Sequence, residues 1–139
     1  MNVRDLEVLY DYSYWADRRL FQSLAQLSPD QFTQPVAGSY GSIRNTLVHT
    51  LSAEWGWLDR CGGPQRGPRL NPDDYPDLES LVAAWNKVEV SLRDFLKNLK
   101  DEELHREIEF TIGGPEKHSM PLGHLLQHAV LRAGRLGAG

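Results

Sequence analysis

The sequence predicts an all-α fold, a four-helix bundle with long connections and a small extended segment or hairpin before the last helix. Three observations predict it. Four segments carry apolar residues at three- and four-residue spacing, prolines and glycines collect between those segments, and strict polar–apolar alternation is confined to one stretch, Glu107 to Ile112. At 139 residues the chain suits a single domain over 1–139, large enough to bury a core without disulfides.

The first segment, Val3 to Gln26, places Leu6, Leu9, Ala16, Leu20, Leu24 and then Leu27 at helical spacing with no Pro or Gly, which predicts a long amphipathic helix. Ser28-Pro29-Asp30-Gln31 has the form of a capping box with Pro at the first helical position, opening a short helical turn before Pro35. A loop over Pro35 to Gly41 leads to Ser42, which caps a second long helix running to about Arg60, with Ile43, Leu47, Leu51, Trp57 and Leu58 on its apolar arc. Cys61 to Pro76 carries Pro64, Pro68, Pro72 and Pro76 beside Gly62, Gly63 and Gly67, which excludes regular structure and predicts a long surface crossover. Asp77 caps the third long helix, whose stripe of Leu78, Leu81, Val82, Trp85, Val88, Leu92, Phe95, Leu96 and Leu99 is the cleanest in the chain.

Asp101 caps another short turn. Ile108, Phe110 and Ile112 then alternate with polar residues, and Gly113-Gly114-Pro115 can turn the chain back, giving a hairpin or an extended loop. Pro121 suits a first helical position, and Leu122, Leu125, Leu126 and Ala129 form a last helix that fades near Gly134. Because the connections are not tight hairpins, an up-down-up-down order is not forced.

Acidic residues outnumber basic ones, 19 to 15, for a net charge of −4, and the basic residues are scattered along the sequence, which argues against a nucleic-acid surface. Cys61 is the lone cysteine, so neither an internal disulfide nor a thiolate cluster can form, and any metal must use His and carboxylates. Cys61 opens the crossover, where a thiol can be reactive, although only Arg60 stands by to lower its pKa. Charges at Arg4, Asp5, Glu7, Asp11, Asp17, Arg18 and Arg19 exclude a signal peptide or a membrane-spanning first helix, and the expected location is the cytoplasm, with no membrane partner. Neither a phosphate-cradling Gly loop nor a nucleophile elbow is present.

Bundles of this size build sites from polar side chains on apolar arcs. Glu54 falls on the arc of the second helix and needs either solvent, an arginine or a ligand. His49 lies off that arc, near Asn45, Ala53 and Gly56, whose small side chains leave space around its ring if a cavity lies there. His124 and His128 are four residues apart, a spacing that puts both on one helical face and can chelate a divalent ion, but without the adjacent Glu of metalloprotease helices. His105 and His118 fall in or beside loops and are given no role. Tyr10, Ser13, Tyr14 and Trp15 form a polar and aromatic cluster on the first helix that either packs the core or lines a small-molecule cavity.

The run Leu9-Tyr10-Asp11-Tyr12-Ser13-Tyr14-Trp15-Ala16, followed by Gly41-Ser42-Ile43 with Thr46-Leu47-Val48-His49, by Ala53-Glu54-Trp55, and by Pro121-Leu122 with Leu126-Gln127-His128, resembles the DinB/YfiT-like superfamily over nearly the whole chain. The resemblance implies a metal-binding four-helix bundle, commonly a homodimer, in which nickel or zinc is held by one histidine of the second helix and two of the last. It also implies metal-dependent thiol transfer, with a small-molecule thiol and an electrophile as partners. His49 matches the first ligand and His128 opens the last-helix pattern, but the ligand positions that follow are Arg132 and Leu136.

Three readings of this departure stand. Metal is held in a shifted site by His49, His128 and His124; or the site is metal-free, with Arg132 as a fixed cation and Glu54 as its counter-charge; or the sequence stops short of a native C-terminus at Gly134 to Gly139. A thiol transferase with a degenerate metal site and a non-catalytic, metal-free bundle that binds a small molecule or serves in stress are the two functions that follow. The long first and third helices, with Trp55 and Val48 off the main arc of the second, suggest a second apolar surface for dimerisation.

Overall fold

Asn2 starts the first helix. Its side chain accepts the Asp5 N–H at 2.8 Å while the Asp5 carboxylate accepts the Asn2 N–H at 3.1 Å, so two donors that a helix start leaves orphaned are satisfied reciprocally. The computed structural model describes residues 1–38 and 40–138, those from 132 onward by backbone alone. Helix α1 spans Val3–Leu24 and buries Val3, Leu6, Tyr10, Ser13, Tyr14, Asp17 and Phe21. This face is turned from the leucine stripe read off the sequence: Leu9 is exposed, and Leu20 and Leu24 only flank the core. Tyr10, Tyr14 and Phe21 take the centre beside Leu6, removing large ring areas from water, while Tyr12 and Trp15 on the other side of the helix stay exposed.

Ser28 caps the short helix α2, Pro29–Thr33, through the capping box its sequence predicts. Ser42 caps α3, Ile43–Arg60, by accepting the Asn45 N–H at 3.0 Å. Asp77 caps α4, Leu78–Lys97, by accepting the Ser80 N–H at 2.8 Å. The crossover between α3 and α4 is not wholly irregular, since Pro72–Asp74 forms a single 3-10 turn whose start Asn71 caps by accepting the Asp73 N–H. Asp101 is the first residue of a 3-10 helix, Asp101–His105, and not its cap; its carboxylate instead accepts the Val3 N–H at 2.9 Å and ties the start of α1 to this segment.

Strands β1, Glu107–Thr111, and β2, Lys117–Pro121, pair antiparallel with Phe110 opposite His118. Pro121 therefore closes a strand rather than opening a helix. Helix α5 follows at once, Leu122–Ala138, and does not fade at Gly134. The side chains of Arg132 and Leu136 lie outside the described residues.

The four long helices close a ring of contacts, α1 against α4 and α5, and α3 against the same two. One core fills the ring, with Leu6, Tyr10, Leu51, Leu58, Leu81, Leu92, Leu122, Leu125 and Leu126 fully enclosed. Val48 belongs to that core and Trp55 packs against it, so Val48 supplies no outer apolar surface. Exposed apolar residues sit instead on α1, at Val8, Leu9, Tyr12 and Trp15. No described helix is long and apolar enough to cross a membrane.

Candidate functional site

The face of α3 that the ring leaves uncovered carries His49, Ser52, Ala53, Gly56, Trp57 and Arg60, spaced by threes and fours. Two other segments wall it. The crossover brings Arg66 and Arg69, the end of β1 brings Ile112, and the three together enclose a cleft of about 170 Å3.

The crossover is anchored to α3 by polar bonds rather than by apolar packing alone. Arg66 Nη1 donates to the Ser52 carbonyl at 2.6 Å and Arg66 Nε to the Gly67 carbonyl at 3.2 Å. The Arg66 N–H reaches the Asp59 carboxylate at 3.0 Å, and Ser52 Oγ accepts the Leu70 N–H at 3.1 Å. Gly56 makes the approach feasible, because a Cβ at that position would stand 2.6 Å from Arg66 Nη1. Tyr40 stacks on the His49 ring at 4.0 Å between centroids.

Trp57 joins this cleft to the last helix. Its ring lines the cleft, Arg60 lies over it at 4.5 Å, and His128 meets it edge-on at 4.4 Å. Phe110 packs on the same indole at 5.5 Å and in turn stacks on His118 at 5.7 Å. His49 and Trp57 thus line one cleft, and His128 packs on the Trp57 indole. His124 does not join them: it is exposed and opens on a second cleft with His105, Leu104 and Gln127. Four residues turn a helix 40° past a full revolution, and here the α3–α5 seam falls within that angle.

A nickel or zinc ion needs at least three protein donors within one coordination sphere. Among the described residues no three His, Cys, Asp or Glu side chains gather that way. Neither Arg132 nor Leu136, at the remaining ligand positions, has a side-chain lone pair to offer a metal. The residues present do not fit the three-histidine set that the resemblance implies.

Glu54 lies elsewhere, on the core side of α3, 2% exposed, and neither carboxylate oxygen has a hydrogen-bond partner among the described residues. Burial, and then the nearby charge of Asp17, push its carboxyl up to about 8. Asp17 is itself pushed to about 7 by burial, against the hydrogen bond it accepts from Trp85 Nε1 at 3.2 Å. Ser13 Oγ and the Tyr14 hydroxyl also lack partners among the described residues, while the Tyr10 hydroxyl donates to the Leu126 carbonyl at 2.7 Å. Tyr10, Ser13 and Tyr14 are core residues, and Trp15 of the same cluster is exposed. Cys61 is buried, and burial pushes its thiol up to about 12, so the crossover does not present a reactive cysteine.

Sequence reasoning singled out His49 and the space beside it, but missed Arg66, Arg69 and the role of Arg60. Three of the scattered basic residues, Arg60, Arg66 and Arg69, are brought together here by the end of α3 and the crossover. The spacing of Arg60, Arg66 and Arg69 across a Pro- and Gly-rich loop was the available signal, in a chain whose net charge is −4.

A model of the DinB family matches residues 1–131. "Protein DinB" of Bacillus subtilis (strain 168) is 29% identical over 55 residues, which cover 40% of this chain and 32% of that protein. The match therefore spans about a third of that relative's length.

Proposed function

The chain belongs to the DinB family, and from that premise we propose a four-helix bundle that binds a small organic molecule in the cleft beside His49 without a resident metal ion. The ring of contacts among α1, α3, α4 and α5 supports the bundle. The observation that carries the metal-free reading is the divergence of the histidines: His49 lines the cleft beside Trp57, His128 packs on the Trp57 indole, and His124 opens on a separate cleft. Ligand binding needs no more than a shaped concavity with a few fixed polar groups, and Ser52, Arg66 and His49 supply those around Trp57.

The test is elemental analysis of tag-free protein, as purified and after incubation with excess zinc and nickel, beside His49→Ala. The expected result is far less than one equivalent of metal in both proteins. About one equivalent, lost in His49→Ala, would overturn the reading.

A second reading keeps the family resemblance in full, as metal-dependent transfer of a low-molecular-weight thiol to an electrophile at a degenerate, shifted site. It draws on His49 lining the same cleft as Trp57, on whose indole His128 packs. Thiol consumption that requires added zinc or nickel and disappears in His49→Ala would favour it.

A further inference from the structure

The cleft beside His49 is lined by three arginines, Arg60, Arg66 and Arg69, with His49 and Ser52, and no acidic residue is among its lining. Such a gathering is unexpected in a chain with more carboxylates than cations. Three of the other arginines meet carboxylates: Arg18 and Arg93 pair with Glu89, Arg93 with Asp11, and Arg44 with Asp73.

Arg66 and Arg69 are different. The Arg66 guanidinium is held by two backbone carbonyls, of Ser52 and Gly67, and no carboxylate of a described residue lies within ion-pair distance. The nearest acid named by its contacts, Asp59, accepts the Arg66 backbone N–H instead. Neutral carbonyls fix the fork in place without pairing its charge with a carboxylate. Arg69, exposed at the rim, makes no ion pair or hydrogen bond among the described residues. Arg60 lies over the Trp57 ring, its guanidinium carbon 4.5 Å from the centroid.

A pinned guanidinium with no ion-pair partner among the described residues, in a partly enclosed space lined by two further arginines, is a receptor for an oxyanion, because charge-assisted bonds to a carboxylate or phosphate strengthen as water is excluded. We infer that the Arg60–Arg66–Arg69 cleft beside His49 binds the oxyanion group, carboxylate or phosphate, of a small organic acid. At about 170 Å3 the cleft has room for about six water-sized groups, enough for a short acid and too little for a dinucleotide. Trp57 and Ile112 offer the apolar surface for the carbon skeleton. The inference rests on the ligand-binding reading above and specifies its chemistry.

The experiment is a 15N-resolved titration of the whole chain with inorganic phosphate and, separately, with succinate, in a buffer free of both groups. Saturable shifts are expected at residues lining the cleft, weakening as sodium chloride rises from about 0.1 to 0.5 M. Arg69→Gln, at an exposed side chain that the fold does not use, should weaken binding at least about tenfold. Gly56→Ala, which displaces the Arg66 guanidinium without removing it, should do the same, and Arg4→Gln on the far end of α1 should not. Tighter binding of succinate or of phosphate assigns the group, and either supports the inference. Absence of saturable shifts with both probes, or unchanged affinity in both Arg69→Gln and Gly56→Ala, would overturn it. Zinc added to a separate sample distinguishes the two failures: uptake of about one equivalent sinks the metal-free reading, whereas no uptake and no anion binding sinks this inference alone.

Discussion

The Arg66 guanidinium occupies the volume that any side chain at position 56 would need, a Cβ on Gly56 falling 2.6 Å from Arg66 Nη1. Replacing Gly56 by Ala sets two terms against each other. Helix propensity gains about 1 kcal/mol at a helix-interior glycine. The flexible tip of Arg66 must move and give up its bond to the Ser52 carbonyl, at a cost of about 1 to 3 kcal/mol. Global stability should thus change by less than about 2 kcal/mol in urea melts, while the crossover loosens. Faster amide exchange over residues 64–70 in Gly56→Ala, with the α4 core unchanged, is the expected signature.

The buried carboxyls make stability depend on pH in an unusual direction. Glu54 is raised from 4.5 to about 8 and Asp17 from 3.8 to about 7, so the folded chain holds protons that the unfolded chain has released. Stability is therefore full below the ordinary carboxylate range and falls as pH rises toward 8, by up to about 1.4 kcal/mol per pH unit for each carboxyl. Urea unfolding at pH 5, 6.5 and 8 should show this fall, and Glu54→Gln should flatten it most above pH 6. An unfolding free energy that rose over this range would contradict the assignment.

Cys61 should behave as an inert core residue. With its thiol buried and pushed up to about 12, iodoacetamide at pH 8 should leave the native protein unlabelled over hours and modify it on unfolding in urea. Rapid labelling of the folded protein would show that the start of the crossover opens.

Tyr10→Phe removes the 2.7 Å bond to the Leu126 carbonyl while keeping the ring. The expected loss is about 1 to 2 kcal/mol, seen as a Tm lower by about 3 to 8 °C, because a buried acceptor loses a partner that water cannot replace.

The helices were legible because their signals are local: Ser28, Ser42 and Asp77 cap the elements their sequence contexts announce, and the stripe of α4 is the stripe that is buried. Glu54 was legible as a carboxylate on an apolar arc. The buried face of α1 was misplaced because leucines were weighted above Tyr10, Tyr14 and Phe21. The cleft was half legible. His49 sits on a helix whose periodicity fixes its direction, but Arg66 and Arg69 belong to a loop, where no period says which way a side chain turns. The splitting of His124 from His128 likewise depends on where α3 meets α5, a tertiary relation that spacing along one helix does not contain.

The bond from Tyr10 to Leu126 joins residues 116 positions apart, and α1 lies against both α4 and α5. During synthesis the apolar face of α1 therefore waits, uncovered on its α5 side, until α5, more than a hundred residues later, has left the ribosome. Closure of the core is a late, long-range event, and the nascent chain is most exposed to aggregation, and most in need of chaperone shelter, in the interval before α5 emerges.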